Sequence, residues 1–506
     1  MTTVAFRVDA SDRIGLGHAM RCLALADALR ARRVQTAFAA AALPERTADL
    51  LRSRGHTVLL LASAGETWRG EPGGEFDAAA QRADATATQR ALATVGPLDW
   101  IVVDHYRLGG EWERGAAEFA RRVAVIDDNA QRAHDCDLLI DHNVSAVCER
   151  YDGLLPGRSL RLLGPRFALL RGQFARAKDA PLRPRARVAR LLVAFGGADP
   201  TGETEKALEA LALPSLSALD ADVVVGAANP RLEAIRNLAQ ARGRVRVHVD
   251  AERMDELMDA ADLAIGAAGV SALERCAKGL PTVLIAVADN QVPIAQALAR
   301  RGAAVYLGIA GDVDAHRLAR AVGGLAAMPN LVQMMAEKAA DTCDGHGARR
   351  VAARMLAADI RLRPAAPADR DCVLAWRNHE ATRRHALDPA PIDPVSHASW
   401  FAERLRDADC VLLIGEDDCG SVGVLRYDVR GAAARVSVYL VPERHGEGLG
   451  ALLLHAGHRW LAANRPAVRT IDAEVLADNH ASRLAFAEAG YTLHRFTLQR
   501  RLSSGE

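Results

Sequence analysis

Short apolar runs alternate with stretches of helical spacing over the first two thirds of the chain. VAFRV (residues 4–8) leads into a glycine-bearing loop, RIGLG (13–17). In the segment that follows, Met20, Leu23, Leu25 and Leu29 recur mostly three to four apart, the spacing of one helical face. TVLLL (57–61), DWIVVDHY (99–106), VAVIDD (123–128) and LLIDHN (138–143) read as further strands. Such short continuous runs fit a parallel sheet with helices on both faces. Three of them end in polar clusters: Asp104-His105-Tyr106, Asp127-Asp128-Asn129 and Asp141-His142-Asn143. Ligands of such sheets gather outside the carboxyl ends of the strands. The clusters therefore point to one crevice, although Asp and Asn are also ordinary turn formers.

After Arg158 an Arg/Pro-rich, weakly periodic segment reads as a crossing, and the pattern then restarts. RVARLLVAFGGADP (187–200) is a strand with a Gly-Gly turn, and VRVHV, LAIGAAG and TVLIAV within 245–287 read as strands. Ser271 and Glu274 have the spacing of a capping box. Residues 312–358 read as helices broken at Pro329 and Gly345–Gly347. From Asp359 the texture changes to strand, Pro turn and helix, then antiparallel strands and a long helix, then strand, helix, strand over 468–500. The expected architecture is α/β: a Rossmann-like lobe over 1–165, a second over 166–358 with closing helices, and a mixed α/β domain over 359–506. Two glycine-turned halves imply a cleft.

Two loops carry candidate anion chemistry. Gly15 and Gly17 permit a tight turn beside a ligand, and the helix behind them offers free backbone N–H groups, with His18 in its first turn. VSVYLV (436–441) running into RHGEGLG (444–450) and an amphipathic helix repeats the arrangement. Composition narrows the field. Across 506 residues, 64 Lys+Arg against 63 Asp+Glu give +1, which makes no case for nucleic acid or membrane. The eight cysteines lack C-x-x-C spacing, so neither zinc nor a disulfide framework is expected, and a reducing cytosol fits. Without a signal-like N-terminus or a long uncharged apolar run, the protein is expected to be cytoplasmic.

R-x-D-A-S-x-x-I-G-x-G-H-x-M-R-C-L-x-L-A (7–26) resembles the start of the hydrolases of pseudaminic acid synthesis that split UDP-2,4-diacetamido-2,4,6-trideoxy-β-L-altropyranose. The resemblance continues through VVDHY (102–106), VIDD (125–128), DHN (141–143), FGGADP (195–200), GAAGVSALERCAKGLP (266–281) and DNQ (289–291). It implies a two-lobed glycosyltransferase-B type fold, similar to MurG-type transferases, that binds UDP mainly through the second lobe. It names His18 as the base or water-orienting group. It sets the loops at Gly197, Ala268 and Gly269 against the diphosphate, Glu274 against the ribose, and Asn290 and Gln291 in the nucleotide half. Gly17 lies beside the sugar. Asp9 or Asp12 orients the His18 ring, binds sugar or serves the fold. Arg7 and Arg21 meet phosphate or pair with acids, and Tyr106 and Asn143 contact the acetamido groups. A histidine suits this step, because water must be activated near neutral pH while UDP is already a good leaving group. No metal is expected.

The third domain resembles the GCN5-related N-acetyltransferases, whose loop after the fourth strand holds acetyl-CoA through backbone N–H groups. His445 stands at the Q/R place of Q/R-x-x-G-x-G/A, Gly448 and Gly450 match, and Arg444 is one residue early. The resemblance implies acetyl-CoA contacts at Val438, Leu440, His445, Gly446, Gly448, Gly450 and Asn479. Phe486 replaces the tyrosine that often protonates the CoA thiolate. WRN (376–378) and HASWF (397–401) resemble the acetyltransferase that acts just before the hydrolase, on the 4-amino group of UDP-4-amino-4,6-dideoxy-N-acetyl-β-L-altrosamine. Glu416, His397 or a backbone carbonyl through water would take the amine's proton. The expected partners are UDP-linked 6-deoxy diamino sugars and neighbouring enzymes of the same pathway. Three alternatives stay open: a hydrolase for the legionaminic-type sugar, a glycosyltransferase, and a UDP-sugar-binding scaffold with a degenerate acetyltransferase domain.

Overall fold

The computed structural model describes residues 2–11, 14–61, 76–176, 181–185, 187–356, 360–417 and 419–495. They form two compact units, Met1–Val351 and Ala352–Glu506. In the first unit seven strands make one parallel sheet: β1 (Thr3–Val8), β2 (Gln35–Ala40), β3 (Thr57–Leu60), β4 (Trp100–Asp104), β5 (Val123–Ile126), β6 (Leu138–Asp141) and β7 (Leu160–Leu163). Their order is β3-β2-β1-β4-β5-β6-β7. Six more make a second parallel sheet: β8 (Arg190–Ala194), β9 (Asp220–Val225), β10 (Val245–Val249), β11 (Leu263–Ala267), β12 (Thr282–Ala286) and β13 (Ala304–Ile309), ordered β10-β9-β8-β11-β12-β13. Both are Rossmann-like, with the order reversing beside the first strand of each, so each has an opening at its carboxyl edge there. The unit thus holds two α/β lobes, each built on its own parallel sheet.

Two strands escape the sequence pattern. QTAFAA is too alanine-rich to stand out, yet all of it but Gln35 is buried as β2. Leu160–Leu163, read as part of the crossing, is instead the edge strand of the first sheet. The capping box also fails. The helix Val270–Ala277 is capped by Gly269, and Ser271 Oγ inside it accepts from Arg275 Nη1 at 3.2 Å. The closing helices Ala315–Ala326, Pro329–Thr342 and Gly347–Leu356 break where Pro329 and Gly345–Gly347 predict.

The second unit holds β14 (Arg361–Pro364), β15 (Cys410–Asp417), β16 (Gly420–Arg430), β17 (Ala433–Leu440) and β18 (Thr470–Ala473) in sequence order. All pairs are antiparallel except β17–β18. The helix Leu449–Asn464 packs on this sheet through close approaches: a Cβ on Gly457 would lie 2.3 Å from Tyr427 Oη. The strand expected after helix His480–Glu488 falls largely on residues outside those described.

Candidate active site

His18 follows Gly17, the first residue of helix Gly17–Arg30, which no side chain caps. The amides of Gly17, His18 and Ala19 precede the first helical bond, Met20 N to Leu16 O at 3.0 Å. A methyl placed on Gly17 would meet nothing within 4 Å, so the helix start has room beside it. β1 pairs with β4 in a register that sets Val8 opposite Asp104. The residue that ends β4 therefore lies next to the loop that leaves β1. His18 Nδ1 sits 2.6 Å from Asp104 Oδ1, the imidazole almost fully buried and the carboxylate entirely so. Arg21 Nη2 also lies 3.2 Å from this nitrogen, but the shorter contact is to a carboxylate, which can only accept, so a neutral ring carries its proton on Nδ1 and keeps the Nε2 lone pair as a base.

Asp104 is itself fixed. Arg21, one helical turn after His18, donates to it from Nε at 2.5 Å and Nη2 at 2.6 Å. Burial alone would raise the Asp104 carboxyl, but Arg21 and then His18 outweigh it and hold it well below the usual carboxylate range. Arg21 Nη1 also donates to Asp128 Oδ2 at 2.8 Å, and Tyr106 Oη donates to Asp128 Oδ1 at 3.0 Å. The Tyr106 ring stands edge-on to His18 at 4.6 Å with part of its surface in solvent. Asn143 closes the group, its Nδ2 donating to the Asp128 carbonyl at 3.4 Å and its amide to Asp141 Oδ1 at 3.0 Å. Burial, with Arg21 nearby, pushes His142 down to about 4, so it is a neutral ring in this cluster.

The first sheet thus brings His18, Gly17, Tyr106 and Asn143 together. Arg7 does not join them. It is fully buried, donating to Asp9 at 2.6 Å and to both oxygens of Asp84 at 2.9 and 2.7 Å, so the ligand role expected for it gives way to a structural one. Asp9 is spent on Arg7 and on the amides of Ala41 and Ala42, and the ring-orienting role passes to Asp104. Asp12 lies outside the described residues. Asp104, Arg21 and Asp128 as one network were missed by sequence reasoning. The available signal was the strand order, which makes β4 the neighbour of β1.

At the carboxyl edge of the second sheet, Gly197 sits in an exposed turn after β8. Ala268 N is already bonded to Gln291 Oε1 at 3.2 Å, as is Val287 N at 3.2 Å. The Ala268 amide is therefore not open to a diphosphate, and Gln291 Oε1 ties two strand-end loops together. Gly269 caps a helix with no side-chain capping bond, which leaves the amides behind it available, and Asn290 is exposed. Glu274 is half-buried, and its nearest cation, Arg171 Nη2, is 3.9 Å away. Burial raises its carboxyl, only partly offset by Arg171 and Arg275. Val144, next to Asn143, belongs to the same buried cluster as Ala268, Ala272 and Leu273.

In the second unit β18 pairs with β17 only over Ala433–Val436, while β16 pairs with it through Leu440. From Ser437 to Leu440, which includes Val438, no strand among the described residues pairs with the other edge of β17. Gly446 and Gly448 adopt left-handed φ of +83° and +74°, conformations glycine reaches freely, and turn the chain into helix Leu449–Asn464. This strand edge and a helix start without a side-chain cap both present backbone hydrogen-bonding groups, the helix start with its amides open to an anion. Gly450 serves packing, since a Cβ there would meet Ala485 Cβ at 3.2 Å. His445 Nε2 lies 3.1 Å from the Leu440 carbonyl. Asn479 caps helix His480–Glu488 through Ser482 N at 3.1 Å, a role that occupies its side-chain oxygen. Phe486 is buried edge-on to Tyr491. Of the candidate amine bases, Glu416 accepts from Arg363 at 3.0 Å, and neither ring nitrogen of buried His397 has a hydrogen-bond partner among the described residues.

Residues 359–492 match the acetyltransferase (GNAT) domain family. Over 259 residues the chain is 35% identical to a UDP-N-acetylglucosamine–N-acetylmuramyl-(pentapeptide) pyrophosphoryl-undecaprenol N-acetylglucosamine transferase of Sorangium cellulosum, covering 49% of this chain and 62% of that protein. The chain thus spans about three fifths of that relative's length. Over 211 residues it is 25% identical to the UDP-2,4-diacetamido-2,4,6-trideoxy-beta-L-altropyranose hydrolase of Campylobacter jejuni, covering 40% of this chain and 72% of that protein. The crystal structure of Acinetobacter baumannii MurG aligns with a TM-score of 0.49 at 17% identity, over 70% of this chain and 99% of that one. Among the described residues no helix is long and apolar enough to cross a membrane, and no group of three or more His, Cys, Asp or Glu is arranged to hold a metal ion.

Proposed function

We propose that the first unit hydrolyses UDP-2,4-diacetamido-2,4,6-trideoxy-β-L-altropyranose to UDP and the free sugar. The observation that carries this reading is the His18–Asp104 pair at the carboxyl edge where the strand order reverses. His18 Nε2 takes a proton from water as the water oxygen bonds to the anomeric carbon. The bond from that carbon to the phosphate oxygen breaks, and its electron pair leaves with UDP. Asp104 keeps the ring in the required tautomer and stabilises the imidazolium that forms. The helix behind Gly269 meets the departing charge with its amides, Glu274 accepts from the ribose hydroxyls, and Tyr106 and Asn143 contact the acetamido groups.

The same reading gives the second unit the preceding step, acetylation of the 4-amino group of the sugar nucleotide. Acetyl-CoA, when bound, supplies the thioester. Gly446, Gly448 and the amides opening helix Leu449–Asn464 hold its diphosphate, and the free edge of β17 near Val438 and Leu440 aligns its pantetheine arm. Phe486 has no proton to give, so solvent returns one to the thiolate. Placing both steps in one chain is coherent, because the product of one is the substrate of the other.

Purified full-length protein is offered the altro sugar nucleotide and its gluco diastereomer, with UDP and free sugar followed together. Equal release of UDP and sugar from the altro compound in water alone is expected. Preference for the gluco compound moves the reading to the legionaminic series. UDP release only in the presence of an acceptor favours a transferase, the reading that the 35% identity to the Sorangium cellulosum enzyme supports. Thiol release from acetyl-CoA that depends on the 4-amino sugar nucleotide tests the second unit. Its absence returns that domain to a degenerate role.

A further inference from the structure

The loop proposed to cradle the CoA diphosphate contains an acid, Glu447, between its two left-handed glycines. A free carboxylate there would repel the ligand, because like charges a few ångströms apart in a partly buried site interact strongly. Glu447 is not free. It is buried, and its Oε2 accepts from Arg444 Nε at 2.8 Å. Arg444, also buried, donates its other two nitrogens to Asp417 at 3.1 and 2.8 Å. Asp417 ends β15, at the hairpin into β16. One guanidinium therefore answers the acid of the loop and bolts the loop to the sheet, with all three nitrogens spent on protein.

We propose that Arg444 is a positioning residue for acetyl-CoA. It never touches the ligand; it sequesters Glu447 and holds the Gly446–Gly448 turn so that its amides face the diphosphate. The planar fork makes the role specific to arginine: a lysine offers a point charge and cannot pair side-on with Asp417 while bonding Glu447. This also accounts for an arginine one residue ahead of the place where the acetyltransferase pattern has Q/R, with His445 at that place. The inference rests on the reading of this loop as the acetyl-CoA site.

CoA binding to the full chain is measured calorimetrically at fixed salt for wild type, Arg444→Met, Glu447→Gln and the double variant. Arg444→Met is expected to weaken CoA binding by about tenfold, the scale of one uncompensated charge near the ligand. Adding Glu447→Gln should restore most of the loss, which a merely structural defect would not allow. Glu447→Gln alone should bind CoA at least as tightly as wild type, which keeps the test decisive where Arg444→Met fails to fold. Unchanged affinity in Arg444→Met, no recovery in the double variant, or weaker binding in Glu447→Gln overturns the proposal. Failure of wild type to bind CoA instead removes the reading of the loop, and the inference with it.

Discussion

The two parallel sheets of the first unit reverse their strand order at the same relative place but furnish their carboxyl edges with opposite chemistry. Beside β1 and β4 the edge is a network of buried, paired charges: Arg7 with Asp9 and Asp84, Arg21 with Asp104 and Asp128, His134 with Glu113. Beside β8 and β11 the loops offer backbone amides and Glu274, whose carboxylate lies 3.9 Å from Arg171, while Asp199 caps the amides of Glu203 and Thr204 and Glu203 pairs with Lys206. Even the buried arginines differ. Arg275 and Arg185 bond the carbonyls of Ala267 and Ala261, each at 2.6 Å, and burial pushes both down to about 10. One opening in a sheet can thus hold a histidine within a fixed charge network, or present amides and an acceptor to a polyanion. The first arrangement suits bond breaking, which rewards a group held in one geometry. The second suits nucleotide binding.

If that division is right, removing the histidine should cost the most. His18→Ala is expected to lower UDP release by about 10²–10⁴-fold while leaving sugar-nucleotide affinity nearly intact, the span of a positioned acid–base group. Stopped assays of UDP with a parallel binding titration check both; equal rates would take His18 out of the mechanism. Next comes the network's structural arm. Arg7→Met leaves Asp9 and Asp84 buried without their cation and should cost about 3–5 kcal/mol in denaturant unfolding. Turnover per folded molecule should not change. A folded variant that has lost turnover would mean that Arg7 reaches the substrate after all.

Much of this edge was legible in the chain. Short apolar runs located β1, β4, β5 and β6, and the polar residues that end them located the crevice. His18 was legible too, since a glycine loop ahead of a helix fixes where its first turn lies. The pairing was not. Asp9, in the motif itself, looked better placed to orient His18 than Asp104, which is far away in sequence; only the β1–β4 neighbour relation brings Asp104 in. Arg7 misled for the opposite reason, because a motif arginine beside a candidate anion site looks like a ligand until Asp84, on a distant helix, claims it. In the second sheet the loops were legible and their internal bonding was not: Gln291 occupies the Ala268 amide through a contact between two loops that spacing cannot express.

The charge network also makes stability depend on pH through a buried histidine. Burial lowers the His134 imidazole, but Asp127 and Glu113 more than offset it and bring it up to about 9, above its ordinary value of 6.5. A group whose folded value is raised contributes stability that is fully present below its unfolded value and is lost as pH climbs through the folded one. Unfolding free energy should therefore fall by up to about 3 kcal/mol between pH 6.5 and 9. His134→Gln should flatten that slope. Denaturant midpoints taken across this range decide it, and a variant with the wild-type slope would mean that the ion cluster is not what titrates.

The smallest effect is the sharpest test of the comparison. A carboxylate bonded to two ribose hydroxyls contributes through charge-assisted hydrogen bonds, of which an amide keeps the shape but not the charge. Glu274→Gln should therefore raise KM for the sugar nucleotide by about tenfold and leave kcat near wild type, the pattern of an interaction made equally in ground and transition states. Because burial already raises the Glu274 carboxyl, acidification neutralises it sooner than an exposed glutamate. Wild-type KM should climb as pH falls through that raised value, and the glutamine variant should lose this acid limb while keeping the rest of its profile. If kcat falls and KM holds, Glu274 belongs to the bond-breaking step, and the separation between a sheet edge that reacts and one that grips does not survive.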